Sequence, residues 1–355
     1  MLRKHCLALG LVTALGALAT ALAAPSREDA ITNPITAVDS VAITVSDADE
    51  AAKFYSNVLT FEKVADREVA GADYEHLFGV FGVRVRAVRM RLGEEYLELL
   101  QFVAPRGRPV PIDSHSNDRW FQHVAIVVSD MDTAYARLRA FHVEHASSGP
   151  QRLPDWNPNA AGIRAFYFRD PDEHNLEVLE FPAGKGAAKW HVHDGRTFLG
   201  IDHTAIVITD TAASLAYYRD TLGMRVVGTS ENYGTEQEHL NNVFGAHLQI
   251  TSLRASAGPG VEFLEYLSPQ NGRASPSDSR SNDLWSWQII LRTAHSQKVE
   301  SALRHSHVAL VSSNTVHLSD DALNWHDALI ARDPDGHTTL VTSGATQQGA
   351  TPLEN

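Results

Sequence analysis

The feature that most constrains this chain is that it repeats itself. "ADYEHLFGVFGVRVRAVRMRLG" (72 to 93) matches "TEQEHLNNVFGAHLQITSLRA" (235 to 255), which sets Glu75, His76 and Leu77 over Glu238, His239 and Leu240. The register continues through "YLELLQFVAPRGR" (96 to 108) over "VEFLEYLSPQNGR" (261 to 273), then "DSHSNDRW" (113 to 120) over "DSRSNDLW" (278 to 285). The halves are duplicates, and each divides again. "VDSVAITVSDADEAAKFYSNVL" (38 to 59), "FQHVAIVVSDMDTAYARLRAF" (121 to 141) and "IDHTAIVITDTAASLAYYRDTL" (201 to 222) each run an apolar strand into an Asp placed to cap an amphipathic helix. Shorter strand-like runs follow, such as "RVRAVRM" (84 to 90), "RAFYFR" (164 to 169) and "HLQITSL" (247 to 253). The unit is βαβββ. Four copies are expected, at 35–106, 118–183, 198–269 and 282–344, with Pro/Gly/Ser-rich linkers and a loose tail at 345–355.

Aligning the copies puts Ser40, His123, His203 and Gln288 at one position of the first strand, and Glu98, Glu177, Glu262 and Leu340 at one position of the last. Polar residues thus recur where strands are otherwise apolar. If first and last strands are neighbours, the two columns emerge on one face. Imidazole nitrogens and carboxylate oxygens suit a borderline divalent cation, so two matched His-Glu pairs read as a metal site. Other histidines read more plainly: His191, His193, His305 and His307 as solvated, and His174 and His337, beside matched Asp-Pro-Asp turns, as turn chemistry.

Composition narrows the partners. Of 355 residues 43% are hydrophobic, which suits globular cores. Residues 1–23 read as a signal peptide: Arg3 and Lys4, an apolar run from Leu7 to Ala19, and Ala21-Leu22-Ala23 as a small-x-small cleavage pattern. The mature chain is therefore expected to be secreted or periplasmic, with no membrane attachment. Cleavage removes two positive charges from a formal net charge of −13, which argues against nucleic-acid binding. It also removes Cys6, the only cysteine, so neither a disulfide nor a thiolate ligand is expected.

The βαβββ modules, "HVAIVVSDMD", "FYFRDPDEHNLEVLEF" and "DHTAIVITDTAASLAYYRDTLGM" resemble the vicinal oxygen chelate superfamily of glyoxalases, extradiol dioxygenases and bleomycin resistance proteins. The resemblance covers nearly the whole mature chain. It implies an α+β fold in which modules pair into curved, cupped mixed β-sheets with helices packed outside, and a ligand from the first and last strand of each module. By matching, His123, Glu177, His203 and Glu262 inherit the ligand role. Two pairings stay open: copies two and three facing each other, which completes a His2Glu2 site and leaves Glu98 and Gln288 in a degenerate one, or pairing within each half. The first is preferred. Four modules in one chain make a monomer plausible, and a homo-oligomer stays open.

The reaction the resemblance implies is proton transfer through an enediolate. A divalent ion (Zn, Fe, Ni, Mn or Co) would chelate two adjacent oxygens of a small substrate, with Glu177 or Glu262 moving the proton, as in a glyoxalase-type isomerase, epimerase or lyase. An Fe(II) extradiol-type dioxygenase is one alternative, because two His and one carboxylate satisfy a facial triad. A non-catalytic ligand-sequestering protein is another. Candidate pocket residues are Tyr233, Glu238, His239, Asn241, Trp156 and Asn157. Because "EHL" recurs in the first copy, Glu238 and His239 equally suit a structural helix.

Overall fold

The computed structural model describes residues 34–192, 194–320 and 322–344. The leader expected at 1–23, the tail at 345–355 and His193 lie outside the described residues. Module 1 comprises β1 (Ala37–Val45), α1 (Ala48–Leu59), β2 (Glu62–Ala70), α2 (Ala72–Phe78), β3 (Arg84–Leu92) and β4 (Glu95–Ala104). Module 2 comprises β5 (Gln122–Val128), α3 (Met131–Ala140), β6 (Glu144–His145), β7 (Gln151–Arg152), β8 (Arg164–Arg169) and β9 (Asn175–Glu180).

Module 3 has β10 (Phe198–Ile208), α4 (Thr211–Leu215) running on as a π-helical stretch (Ala216–Thr221), β11 (Arg225–Tyr233), α5 (Thr235–Asn241), β12 (His247–Arg254) and β13 (Gly260–Ser268). Module 4 has β14 (Trp287–Arg292), α6 (Ser296–His305), β15 (Val316–His317), β16 (Asp327–Arg332) and β17 (Thr338–Thr342).

The Asp residues seen in the repeat do cap the helices. Asp47 accepts the N–H groups of Asp49 and Glu50, Asp130 that of Thr133 and Asp210 that of Ala213, each from extended backbone. In module 4 His295 stands there and caps nothing through its side chain. The second strand of the unit is reduced to two-residue pieces in modules 2 and 4. In module 2 the reason is local: Pro150, Pro154 and Pro158 remove ladder donors over that stretch.

Of the two pairings left open by the sequence, the chain adopts the central one. β10 runs antiparallel to β5 and joins modules 2 and 3 in the order β11-β12-β13-β10-β5-β9-β8-β6; β1 and β14 join modules 1 and 4 in the order β15-β16-β17-β14-β1-β4-β3-β2. Helices α1, α3, α4 and α6 lie outside the cups but inside the molecule, whereas α2 and α5 pack against the cup interiors. Tyr55 and Leu59 of α1 and Met131 and Leu138 of α3 share one buried cluster with Ile43 and Met90 of one sheet and Ile126 and Phe168 of the other. Tyr218, Val299 and Leu303 do the same for modules 3 and 4. At about 1.5–3 kcal/mol for each large apolar side chain fully buried, this shared layer dominates the attachment of the two cups.

Polar clasps then set the register. The turn of module 2 reaches module 1, with Asp170 accepting from the Tyr55 hydroxyl at 3.2 Å and Asp172 from the Ser46 N–H at 2.8 Å. Asp333 and Asp335 of module 4 repeat this toward Tyr218 and Thr209 of module 3. Arg108 binds the buried Asp283, and Arg273 the buried Asp118, at 2.7 and 2.6 Å. Gly107 and Gly272 permit these clasps, because a Cβ on either would fall within 1.8 Å of the facing carbonyl oxygen of Asn282 or Asn117.

The cups differ inside. The cup of modules 1 and 4 is filled by Tyr74, Leu77, Phe78, Phe102, Ile290, Trp325, Ile330 and Leu340. In the cup of modules 2 and 3, small residues such as Ala160, Ala165 and Gly260 line a cavity of about 470 Å³.

Candidate metal centre

Strand register explains why two columns of residues converge. Ala42 pairs with Glu98, Ala125 with Glu177, Ala205 with Glu262 and Ile290 with Leu340, each on parallel first and last strands. Side chains alternate along a strand, so the residue two positions earlier shares the face of the glutamate. Joining modules 2 and 3 through β5 and β10 sets both faces into one cup.

There one ligand atom from each of His123, Glu177 and His203 lies within 4.8 Å of the other two. The Glu177 Oε2 stands 3.2 Å from His123 Nε2 and 3.7 Å from His203 Nε2. The first contact lacks hydrogen-bond alignment: both ring nitrogens of His123, and Nε2 of His203, are buried without a hydrogen-bond partner. Each such orphan costs about 1–3 kcal/mol, which a cation held between them would remove. A second set of groups aims His203. Its Nδ1 meets Asp202 Oδ2 at 3.0 Å, and Asp202 Oδ1 in turn accepts from Arg254 at 2.9 Å and Trp190 at 3.2 Å. That leaves Nε2 for the centre. Burial opposes charge on this imidazole, yet Glu262, Asp202 and Glu177 push its pKa up to about 9. Carboxylates thus outweigh burial around His203, and the donor set fits a borderline divalent ion.

Glu262, the fourth residue of the expected set, stands beside this group. Its Oε2 is 3.4 Å from His203 Nε2, while its Oε1 accepts the Ser252 hydroxyl at 2.6 Å, a cross-strand partner that turns the carboxylate toward β12.

The other cup shows what became of its columns. Glu98 is bonded by Arg89, which also meets Asp39 at 3.2 Å; Arg292 meets Asp39 at 3.1 Å, and Tyr96 lies under the Arg89 guanidinium. Burial pushes the Glu98 carboxyl up, with Arg89 opposing. A guanidinium therefore claims this carboxylate, and Leu340 removes the other. Gln288 remains buried with both amide atoms unpartnered. Replacing Gln288 by Met removes these desolvated groups at similar volume, so the variant should be more stable by about 1–2 kcal/mol, measured by urea unfolding.

The cavity lies against the His-Glu-His group. Glu177, His203 and Glu262 line it, with Tyr167, Asp202, Ser252, Arg254, Asn232, Gln237 and apolar residues such as Leu153, Ile163 and Leu264. None of Tyr233, Glu238, His239, Asn241, Trp156 and Asn157 is in its wall. Tyr233 and Trp156 stack on each other, half-exposed, because Tyr233 alternates with the inward Asn232 along β11. Glu238 and His239 belong to α5, which mirrors α2 as the repeat implies. Asn157 and Asn241 are buried behind the wall.

Tyr167 and Ser252 were missed, although carrying the repeat alignment one strand back finds them. Arg89, Tyr167, Ser252 and Ile330 face Glu98, Glu177, Glu262 and Leu340 across antiparallel pairs. The Tyr167 ring lies 4.9 Å from that of His123, and burial, with Glu177 next, keeps its hydroxyl protonated well above the usual phenol range.

The chain is 34% identical over 153 residues to a 2-epi-5-epi-valiolone epimerase from Actinomyces sp., a match covering 42% of this chain and 81% of the relative. Glyoxalase I from Zea mays superimposes with a TM-score of 0.56 at 13% identity, over 87% of this chain and 92% of that one. A putative dioxygenase from Bacillus subtilis subsp. subtilis str. 168 gives 0.53 at 13% identity, over 88% and 86%. These two likenesses concern the fold alone. The family description Glyoxalase/Bleomycin resistance protein/Dioxygenase superfamily matches residues 37–178 and 200–341, one span for each half of the duplication, and the chain belongs to that superfamily.

Proposed function

We propose that the chain is a divalent-metal-dependent enzyme that binds a small molecule through two adjacent oxygens and moves a proton at the neighbouring carbon, as an isomerase or epimerase of glyoxalase type. The observation that carries this reading is the convergence of His123, Glu177 and His203 with three buried, unpartnered imidazole nitrogens. The epimerase relative supports proton transfer, and its named substrate, 2-epi-5-epi-valiolone, is the first compound to test. A cation held by His123, Glu177 and His203 supplies Lewis acidity toward the substrate oxygens. Glu177, central among the ligands, serves to hold it. Glu262 has its Oε1 fixed by Ser252 and its Oε2 turned to the same space, and so is placed to take and return the proton.

Two measurements test this. Protein purified aerobically and anaerobically should carry about one divalent ion per chain and convert 2-epi-5-epi-valiolone to its epimer; a chain without metal under either condition overturns the reading. Glu262→Gln should keep its metal while kcat falls about 10²–10⁴-fold, the range for a general base. Loss of the ion from that variant would make Glu262 a ligand instead.

A second reading, an Fe(II) dioxygenase, is favoured by the grouping of two His with one carboxylate. Iron as the bound ion, with dioxygen consumed on catechol addition, would decide for it. Export completes the proposal: a periplasmic or secreted form beginning at Ala24 is expected from N-terminal sequencing.

A further inference from the structure

Within and behind the cavity wall, five side chains form one continuous hydrogen-bonded ladder. Asn157 Nδ2 donates to Asn232 Oδ1 at 2.7 Å, Asn232 Nδ2 to Gln237 Oε1 at 3.2 Å, and Gln237 Nε2 to Asn241 Oδ1. Asn241 Nδ2 then donates to the Tyr266 hydroxyl at 2.7 Å, which donates to the Ser116 carbonyl at 3.0 Å. All five residues are at least nine-tenths buried.

Backbone groups at both ends set the direction of the ladder. The Ser116 carbonyl can only accept, which turns the Tyr266 proton toward it and leaves the Tyr266 oxygen to accept from Asn241. At the far end the Glu231 carbonyl accepts from Asn157 Nδ2, at 3.2 Å, and the Ala160 N–H donates to Asn157 Oδ1, at 3.4 Å. Both ends impose the same polarity on every amide between them. Each amide oxygen of Asn232 and Gln237 thus accepts one ladder bond and each nitrogen donates one, which fixes the orientation of both amides and leaves each nitrogen one hydrogen that the ladder does not use. These two residues line the cavity.

We infer that Asn232 and Gln237 form a wall of oriented amides whose unused N–H groups recognise acceptor oxygens, hydroxyl or carbonyl, at the end of the substrate remote from the metal centre. This deepens the proposed function and rests on it. β11, which carries Asn232, is two strands from β13, which carries Glu262, roughly 10 Å across the sheet. The substrate is thus a compact molecule oxygenated at both ends, such as a polyhydroxylated ring, rather than one with an apolar tail. Asn157, Asn241 and Tyr266 act through the other two and are positioning residues.

The test compares two probes on the zinc-loaded full chain by calorimetry. Acetohydroxamate offers two adjacent oxygens and is too short to span to Asn232; 2-epi-5-epi-valiolone offers oxygens around a ring. Asn232→Asp keeps size and removes the donor, and Asn241→Leu cuts the ladder behind the wall. Both variants should weaken the ring compound at least about 10-fold and leave acetohydroxamate and metal content unchanged, since one lost bond in a closed site accounts for about that factor. Unchanged binding of both probes in Asn232→Asp overturns the wall, and equal weakening of both shows the ladder to be merely structural. Wild-type protein that binds acetohydroxamate but not the ring compound overturns the substrate class alone. Wild-type protein that binds neither overturns the metal-centre reading beneath it.

Discussion

Glu177→Gln protein should come off purification with its metal lost, at less than about a tenth of an ion per chain after dialysis, and with divalent-ion affinity lowered about 100-fold or more. The substitution alters almost nothing except charge. Glu177 Oε2 is the atom that both His123 Nε2 and His203 Nε2 approach, and the amide that replaces it brings either a neutral oxygen or two hydrogens to that point. The imidazole nitrogens then lack the anion that balances a divalent charge beside them. Glu98→Gln is the matched control, for it stands at the same register position of the other cup but is bonded to Arg89. Its metal content should equal that of the wild type. Plasma emission spectrometry on the three proteins decides the matter, and an unchanged ion in Glu177→Gln would sink the assignment of the centre.

Asp170→Ala should cost about 3–5 kcal/mol in unfolding free energy, the usual penalty for removing one partner of a buried ion pair. Asp170 accepts from His174 Nδ1 at 2.9 Å, from the Tyr55 hydroxyl and from the N–H groups of Asp172 and His174, while His174 Nε2 meets the Leu284 carbonyl at 2.7 Å. With acceptors at both ring nitrogens, the imidazole is held as a cation. Burial opposes that charge, and Asp170 outweighs it, so the pKa of His174 is raised above the ordinary histidine value; His337, beside Asp333, is raised likewise.

The sign follows from that direction. A histidine whose folded pKa is raised adds stability that is fully present below its unfolded pKa, near 6.5, and is lost as pH climbs through the raised folded value. Wild-type protein should therefore lose part of its advantage over His174→Gln as pH rises above about 6.5, in paired urea titrations. A difference that grows with pH would show the ring to be neutral in the fold. Sequence alone read these residues as turn chemistry. They do form the turn, and they also fasten module 2 to modules 1 and 4.

That contrast recurs throughout the chain. The modules, their capped helices and the two ligand columns were legible because each rests on near neighbours in sequence: strand alternation, an Asp before a helix, a repeat that preserves position. The positions of His123, Glu177, His203 and Glu262 could be named without a structure, since the repeat preserves position and alternation decides which face of a strand each takes. The cavity wall could not. Asn232 and Gln237 line it while Asn157 and Asn241 stand behind them, and nothing along the chain distinguishes a side chain that faces a void from one that faces another amide.

The amino-acid sequence by itself determined four βαβββ modules and which positions in each carry an imidazole or a carboxylate. Only the tertiary structure decided that β5 pairs with β10 and β1 with β14, that Glu262 leans to Ser252, and that Arg89 claims Glu98. The physical reason is that an unpaired strand edge presents the same backbone donors and acceptors to any partner. The choice falls to side chains far apart in sequence, whose fit exists only once both sheets and the helices between them are packed together.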